Sequence, residues 1–199
     1  MNNNIVKIGA CVAALFVTGC ATTDTKYVSS KDSLVTTTGV NVQDWDKAAD
    51  DAVQQLLEKF INSGSPLASS RPDGKALFAV AEMRNNTGLQ LDTDRLTKRI
   101  RIALNNTGKV VTDVTAGVGG AEDSLANEAK RRAAFEGGQR LATPDYSLSG
   151  KIMEDRERAG SVRQVTYTFQ LSLTGKDGAA LWEGETTIIK QGKRANVGW

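Results

Sequence analysis

From Val165 to Leu173 the chain alternates without a break. Val165, Tyr167, Phe169, Leu171 and Leu173 are apolar, and Thr166, Thr168, Gln170 and Ser172 stand between them. A period of two is that of a strand with one face buried and the other wet. A slip of one residue would turn the whole apolar set to water, so the register is strongly specified. Lys176-Asp177-Gly178 follows as a hairpin turn, and LWEGETTIIKQG reads as the returning strand. Upstream, PDYSLSGKIME alternates too, with Tyr146, Leu148, Gly150 and Ile152 on one face. The strongly charged segment Glu154 to Arg163 is expected to be an exposed link between the first two strands. The last third is therefore an antiparallel meander whose apolar face needs a cover.

The cover is written earlier. DWDKAADDAVQQLLEKFINSG places Trp45, Ala49, Ala52, Val53, Leu56, Leu57 and Phe60 at helical spacing, with Asp44 as the expected N-cap and Gly64 as the stop. SPLASSRPDGK is a turn-rich connection, and Leu77 to Val80 is a compact apolar run of the kind a buried strand shows. Arg84-Asn85-Asn86-Thr87 ends it as a loop. A second helix is capped by Asp92, carries Leu96, Ile100, Ala103 and Leu104 inward, keeps Lys98, Arg99 and Arg101 off that stripe, and closes at Gly108. Lys109 to Val114 is a short strand. A Gly-rich loop through Gly117, Gly119 and Gly120 leads to a third helix near Glu122–Phe135, and Gly137-Gly138 weakens its continuation. Helix–strand alternation followed by a meander gives an α+β fold, an αβ sandwich with one sheet face under helices.

Composition removes whole classes of chemistry. The chain has no histidine, so Ser-His-Asp and Cys-His catalysis and ordinary His-ligated zinc sites are excluded. Its cysteines, Cys11 and Cys20, both precede the domain, leaving no thiol for a metal site or a disulfide there. A net charge of +2 gives no field that points to nucleic acid. AGVGGAE is neither GxGxxG nor a P-loop and reads as a flexible turn. Asp44, Asp46, Asp50 and Asp51 lack cation-loop spacing and read as a solvated first turn. Glu154, Asp155 and Glu157 could form a carboxylate pair, but Arg156 and Arg158 stand beside them as ion-pair partners. Asn85-Asn86-Thr87 and Asn105-Asn106-Thr107 match glycosylation sequons, and their positions in a loop and at a helix end explain them equally well. No catalytic residue, metal ligand, cofactor site or small-molecule substrate is expected.

At the amino terminus Lys7 precedes a short apolar run, too short for the roughly 20 residues of a membrane-spanning helix. It reads as a signal peptide over residues 1–19. Val17-Thr18-Gly19-Cys20 resembles a bacterial lipobox, which makes Cys20 the expected lipidation site. Several fatty chains, each contributing about 0.8 kcal/mol per buried CH2, make an effectively permanent anchor. Ala21 stands where an aspartate would favour inner-membrane retention, so the expected location is the outer membrane, facing the periplasm. Residues 20–43, rich in Thr and Ser, are expected to be a flexible tether. Residues 44–192 form the domain, and 193–199 a tail.

DWDKAADDAVQQLL, FAVAEMRNNT, LTKRIRIALNNTGKVV, PDYSLSGKI and YTFQLSLTGKDGAALWEGE, in that order over about 44–192, resemble the LpoB-type outer-membrane lipoproteins that activate penicillin-binding proteins. The resemblance implies a small αβ sandwich like the amino-terminal domain of TolB, with a mostly antiparallel four-stranded sheet flanked by helices. It implies a non-catalytic role, in which a regulatory domain of a bifunctional peptidoglycan synthase is bound and the enzyme is stimulated. The best-known members carry a long Pro-rich tether. Here the only prolines are Pro66, Pro72 and Pro144, none of them in the tether. The expected contact surface is the loop Arg84, Asn85, Asn86 and Thr87 together with the charged hairpin carrying Arg156, Arg158 and Arg163. The alternatives from other classes are an envelope assembly or secretion-pore lipoprotein of similar fold, and a carboxylate hydrolase acting on glycan.

Overall fold

A computed structural model describes residues 40–115, 123–135 and 143–193. The expected signal peptide, Cys20, the tether up to residue 39, the Gly-rich loop over 116–122, Gly137-Gly138 and the tail from residue 194 lie outside the described residues.

Helix α1 (Val42–Leu56) starts three residues earlier than the Asp44 cap would allow. Asn41 is the N-cap: its Oδ1 accepts from the Asp44 amide at 2.9 Å, and the Asp44 carboxylate accepts from the Asn41 amide at 2.8 Å. Both residues are good caps, and the reciprocal capping box satisfies two of the orphan donors of the first turn instead of one. The buried stripe is Trp45, Ala48, Ala49, Ala52, Val53 and Leu56, and its three alanines let the helix sit close to the sheet. The helix widens into a π-turn over Leu57–Ile61 and stops before Gly64, whose φ of 92° suits glycine.

Strand β1 (Ala76–Val80) is the expected buried run. The next segment corrects the sequence reading: Arg84–Asn86 is not a loop but a short strand, β2, in parallel register with β4. Helix α2 (Thr93–Asn106) is capped by Asp92, whose carboxylate accepts from the Arg95 amide at 2.9 Å. Its buried face holds Leu96, Thr97, Ile100 and Leu104, and also Arg101, which was expected outside the stripe. Strand β3 (Val110–Asp113) and helix α3 (Ser124–Phe135) follow, the latter with the Asp123 carboxylate accepting from the Ala126 amide at 2.9 Å. Strands β4 (Tyr146–Ala159), β5 (Val162–Gly175) and β6 (Ala180–Lys193) form the meander.

The sheet has six strands in the order β3-β1-β4-β5-β6, with β2 also alongside β4, and not the four that the family resemblance implied. β1 pairs in parallel with both β3 and β4, because helical crossovers return the chain in the same direction. The long β4–β5 and β5–β6 pairings are antiparallel, so most of the ladder still is. The charged segment is not a link. β4 and β5 stay paired out to Ala159 opposite Val162, and the turn is made at Gly160, with φ 58°.

The core lies between α1, α2 and one sheet face, where Phe78, Leu148, Ile152, Phe169, Leu171 and Leu173 are fully buried. Gly150 sits inside β4 because nothing larger fits. A Cβ there would lie 2.6 Å from Met83 Sδ and 2.7 Å from the Gln170 carbonyl. At the start of β4, buried Asp145 accepts from the amides of Leu77 at 3.0 Å and Ser70 at 3.1 Å, and Tyr146 Oη accepts from the Ala68 amide at 2.8 Å. These bonds fasten the turn-rich connection to the sheet. The acids of α1 are paired on the surface: Asp46 with Arg95 at 2.5 Å, Asp50 with Arg99 at 2.5 Å, Asp51 with Lys47 at 2.5 Å, and Asp44 with Lys190. The last of these is largely buried, and the more exposed pairs contribute about 0–1 kcal/mol each.

Candidate functional site

Up to Ile152 and Phe169 the inner face of the β4–β5 hairpin is apolar and covered. Beyond them the same face continues, because the alternation does not change phase, but the residues do. Across the ladder Glu154 faces Tyr167, Arg156 faces Val165, and Arg158 faces Arg163. Trp45, in the first turn of α1, closes the covered part with an edge-to-face contact on Tyr167, ring centroids 5.4 Å apart at 83°.

Glu154 is the hinge of this region. Its side chain is only 4% exposed. The carboxylate accepts from Arg156 Nε at 2.5 Å, from the Gly88 amide at 2.8 Å and from the Tyr167 hydroxyl at 3.4 Å. The Arg156 guanidinium lowers the Glu154 carboxyl below the ordinary range, outweighing the burial that pushes the other way. Burial, helped by the Glu154 charge, raises the Tyr167 phenol. The charged pair therefore stays ionised and ties the loop after β2 to the hairpin.

That loop is knit to the end of β2 and to itself. Asn85 Nδ2 donates to the Leu89 carbonyl at 2.7 Å, and Asn85 Oδ1 accepts from the Thr87 amide at 3.0 Å and hydroxyl at 2.7 Å. The Leu89 amide donates to Thr87 Oγ1 at 3.1 Å. The Asn-Asn-Thr sequence is thus accounted for by turn chemistry. Loop and hairpin together enclose an open cleft of about 450 Å³, whose walls include Leu89, Arg156, Arg158, Arg163, Val165 and Tyr167.

The structure brings together Arg156, Arg158 and Arg163, and it sets Asn85 in β2 and Thr87 in the following loop, which supplies Gly88 and Leu89 to the same region. Arg84 and Asn86 do not join them. Their registers with Lys151 and Met153 put them on the opposite sheet face. Glu154, Tyr167, Val165 and Leu89 were not among the expected site residues. A signal existed for Glu154: it continues the phase of Tyr146, Leu148, Gly150 and Ile152, so an acid occupies an inward position. Arg158 Nε donates to the Gly160 carbonyl at 3.2 Å. Among the described residues the Arg163 side chain has no hydrogen-bond or ion-pair partner. The other acid of the cleft, Glu157, accepts from Gln164 Nε2 at 3.1 Å. Chemically the arrangement offers guanidinium donors above an apolar floor, which suits recognition of a carboxylate. Among the described residues no cluster of acids, histidines or cysteines could hold a metal ion, and no helix is long and apolar enough to cross a membrane.

A family model described as the peptidoglycan-synthase activator LpoB matches residues 44–188. The chain belongs to the LpoB family. The matched span runs from the first turn of α1 into β6, so it contains the whole cleft. Among solved structures, the LpoB C-terminal domain of Escherichia coli is similar at 18% identity and a TM-score of 0.44, over 73% of this chain and 98% of that one. The Salmonella enterica LpoB C-terminal domain gives 17% identity and 0.41 over 73% and 98%. An NMR structure of E. coli LpoB gives 15% and 0.40 over 90% and 88%. No curated protein sequence gives a significant match. Membership of the LpoB family implies a role as an activator of a penicillin-binding protein, regulatory in kind.

Proposed function

We propose that this chain is an outer-membrane lipoprotein, anchored through Cys20 and facing the periplasm, that binds a bifunctional penicillin-binding protein and speeds its peptidoglycan synthesis. The observation that carries the reading is the LpoB family match over residues 44–188. The lipobox-like Val17-Thr18-Gly19-Cys20 supports the anchor. The contact surface is the hairpin end, Arg156, Arg158 and Arg163, with Asn85 of β2 and the Thr87–Leu89 loop beside it. Arg84 and Asn86 stand at its margin, on the other sheet face.

The action is a coupling of two equilibria. A non-catalytic partner accelerates an enzyme only by binding its active conformation more tightly than its resting one. The same coupling requires that a synthase locked in its active conformation bind this chain more tightly.

The test is crosslinking of the tagged, full-length lipoprotein in cells, followed by identification of what it holds and by glycan polymerisation assays with the recovered enzyme. A penicillin-binding protein whose rate rises on addition of the lipoprotein is the expected result. Recovery of a self-assembled ring with no synthase would overturn the reading, as would peptidoglycan turnover by the lipoprotein alone. For the anchor, Cys20→Ser should move the protein from the outer-membrane fraction to the soluble periplasm, and an unchanged distribution would remove that part of the proposal.

A further inference from the structure

The pairing of Arg158 with Arg163 is the feature that folding does not explain. They are directly opposed on adjacent antiparallel strands, where side chains stand about 5 Å apart at Cβ and like charges destabilise the ladder. The pairs below them on the same face are favourable: Arg156 lies over Val165 while its guanidinium holds Glu154, and Ile152 meets Phe169. Two features keep the Arg158–Arg163 field from being cancelled. Glu154, the nearest acid on this face, is already saturated by Arg156, Gly88 and Tyr167. Glu157, which also lines the cleft, alternates to the other phase of β4, and its hydrogen bond is to Gln164 Nε2 rather than to either arginine. The floor between the arginines and the covered core is Val165, Tyr167 and Leu89, so an ion pair formed there would be partly shielded from water.

We propose that the cleft at the hairpin end receives an aspartate or glutamate side chain of the synthase, gripped between the guanidinium groups of Arg158 and Arg163. The inference rests on the reading that this chain docks on a synthase, and it adds the chemistry of the contact. Guanidinium groups suit this role because each presents parallel donors that match the two oxygens of a carboxylate. An incoming carboxylate relieves the repulsion between the two arginines and gains two partners. The saturated Glu154 holds the loop and hairpin in place beforehand, so little ordering remains to be done on binding.

A zero-length carbodiimide crosslinker tests this, because it joins an amine only to a carboxylate in contact with it. Membranes would carry the full-length lipoprotein as wild type, Arg158→Lys, Arg163→Lys or, as a control on the opposite sheet face, Arg84→Lys. The expected result is a conjugate with the synthase for the first two variants and not for Arg84→Lys, joined by mass spectrometry to an aspartate or glutamate of the enzyme. The double variant Arg158→Gln/Arg163→Gln should weaken co-purification of the synthase about tenfold, while the lysine variants retain it. Absence of any conjugate at positions 158 and 163 while wild type still holds the synthase would overturn the proposal. So would a conjugate whose carboxylate belongs to a cell-wall stem peptide, or equal binding by the double glutamine variant. A wild-type chain that holds no synthase at all would instead overturn the functional reading beneath it.

Discussion

The two halves of the β4–β5 hairpin are built by the same rule and used for different ends. From Tyr146 to Ile152, and from Phe169 to Leu173, the inward residues are apolar and lie under α1 and α2. From Glu154 and Tyr167 to the turn at Gly160, the ladder is just as regular, yet the inward positions hold Glu154, Arg156, Arg158 and Arg163. Helix cover ends at Trp45. Where the cover ends, the demand for apolar side chains ends too, and the backbone pairing persists on its own. A strand pair that outruns its core projects residues free of packing duties from a rigid support.

If that division holds, substitutions should be costly below Trp45 and cheap above it. The largest effect is expected at Phe169, fully buried on the inner face. Phe169→Ala should cost about 3–5 kcal/mol of unfolding free energy, from lost transfer plus the cavity left behind, measured by denaturant titration. Next comes Gly150→Ala. The added methyl meets the Gln170 carbonyl at 2.7 Å, and backbone does not step aside as a side-chain tip can. About 1–3 kcal/mol is expected, with the midpoint shifted and the denaturant slope unchanged. Near-wild-type stability for either variant would mean that the covered half is looser than its burial implies.

The covered half was also the more legible in the sequence. Its period of two, the alanine-rich stripe of α1 and the Asp92 cap are local signals, and local signals survive into the fold. What failed depended on neighbours. The Arg84–Asn86 segment has three exposed polar residues and no strand signature, and it is a strand only because β4 offers it a parallel register. Arg101 breaks no helical rule by being charged, so nothing in the sequence separated it from exposed Lys98 and Arg99. The cap of α1 moved to Asn41 because two capping residues stand three apart and the reciprocal arrangement uses both. For the site, the arginines were legible as a charged cluster, but the separation of Arg84 from Arg156 needed the register. The roles of Glu154 and Tyr167 needed the loop that reaches them.

Asp145, at the covered end, gives the comparison a pH dependence. Burial alone would raise its carboxyl, but the amide donors of Leu77 and Ser70 outweigh that, and it titrates below its ordinary value of 3.8 in the folded state. A group lowered on folding contributes stability that is fully present above the ordinary carboxylate value and is lost as pH falls through the folded one. Asp145→Asn keeps the shape but turns an amide donor toward backbone donors. It should cost about 1–2 kcal/mol at neutral pH and flatten the loss of stability below pH 4. Thermal unfolding across acid pH would show both, and an unchanged acid slope would place the titration elsewhere.

The smallest effect is expected at the uncovered end, and its sign is the informative part. Arg158 and Arg163 are exposed and opposed, so replacing one of them removes a repulsion and no packed atoms. Arg163→Thr should therefore raise stability by a few tenths of a kcal/mol, since threonine also favours strands. The gain should shrink in high salt, where the repulsion is already screened. An increase at low salt that fades with ionic strength would mean that the wild-type chain carries a destabilising pair which folding alone would have discarded. A loss of stability would mean that these arginines belong to the scaffold after all, and the boundary drawn at Trp45 would have to move outward toward the turn.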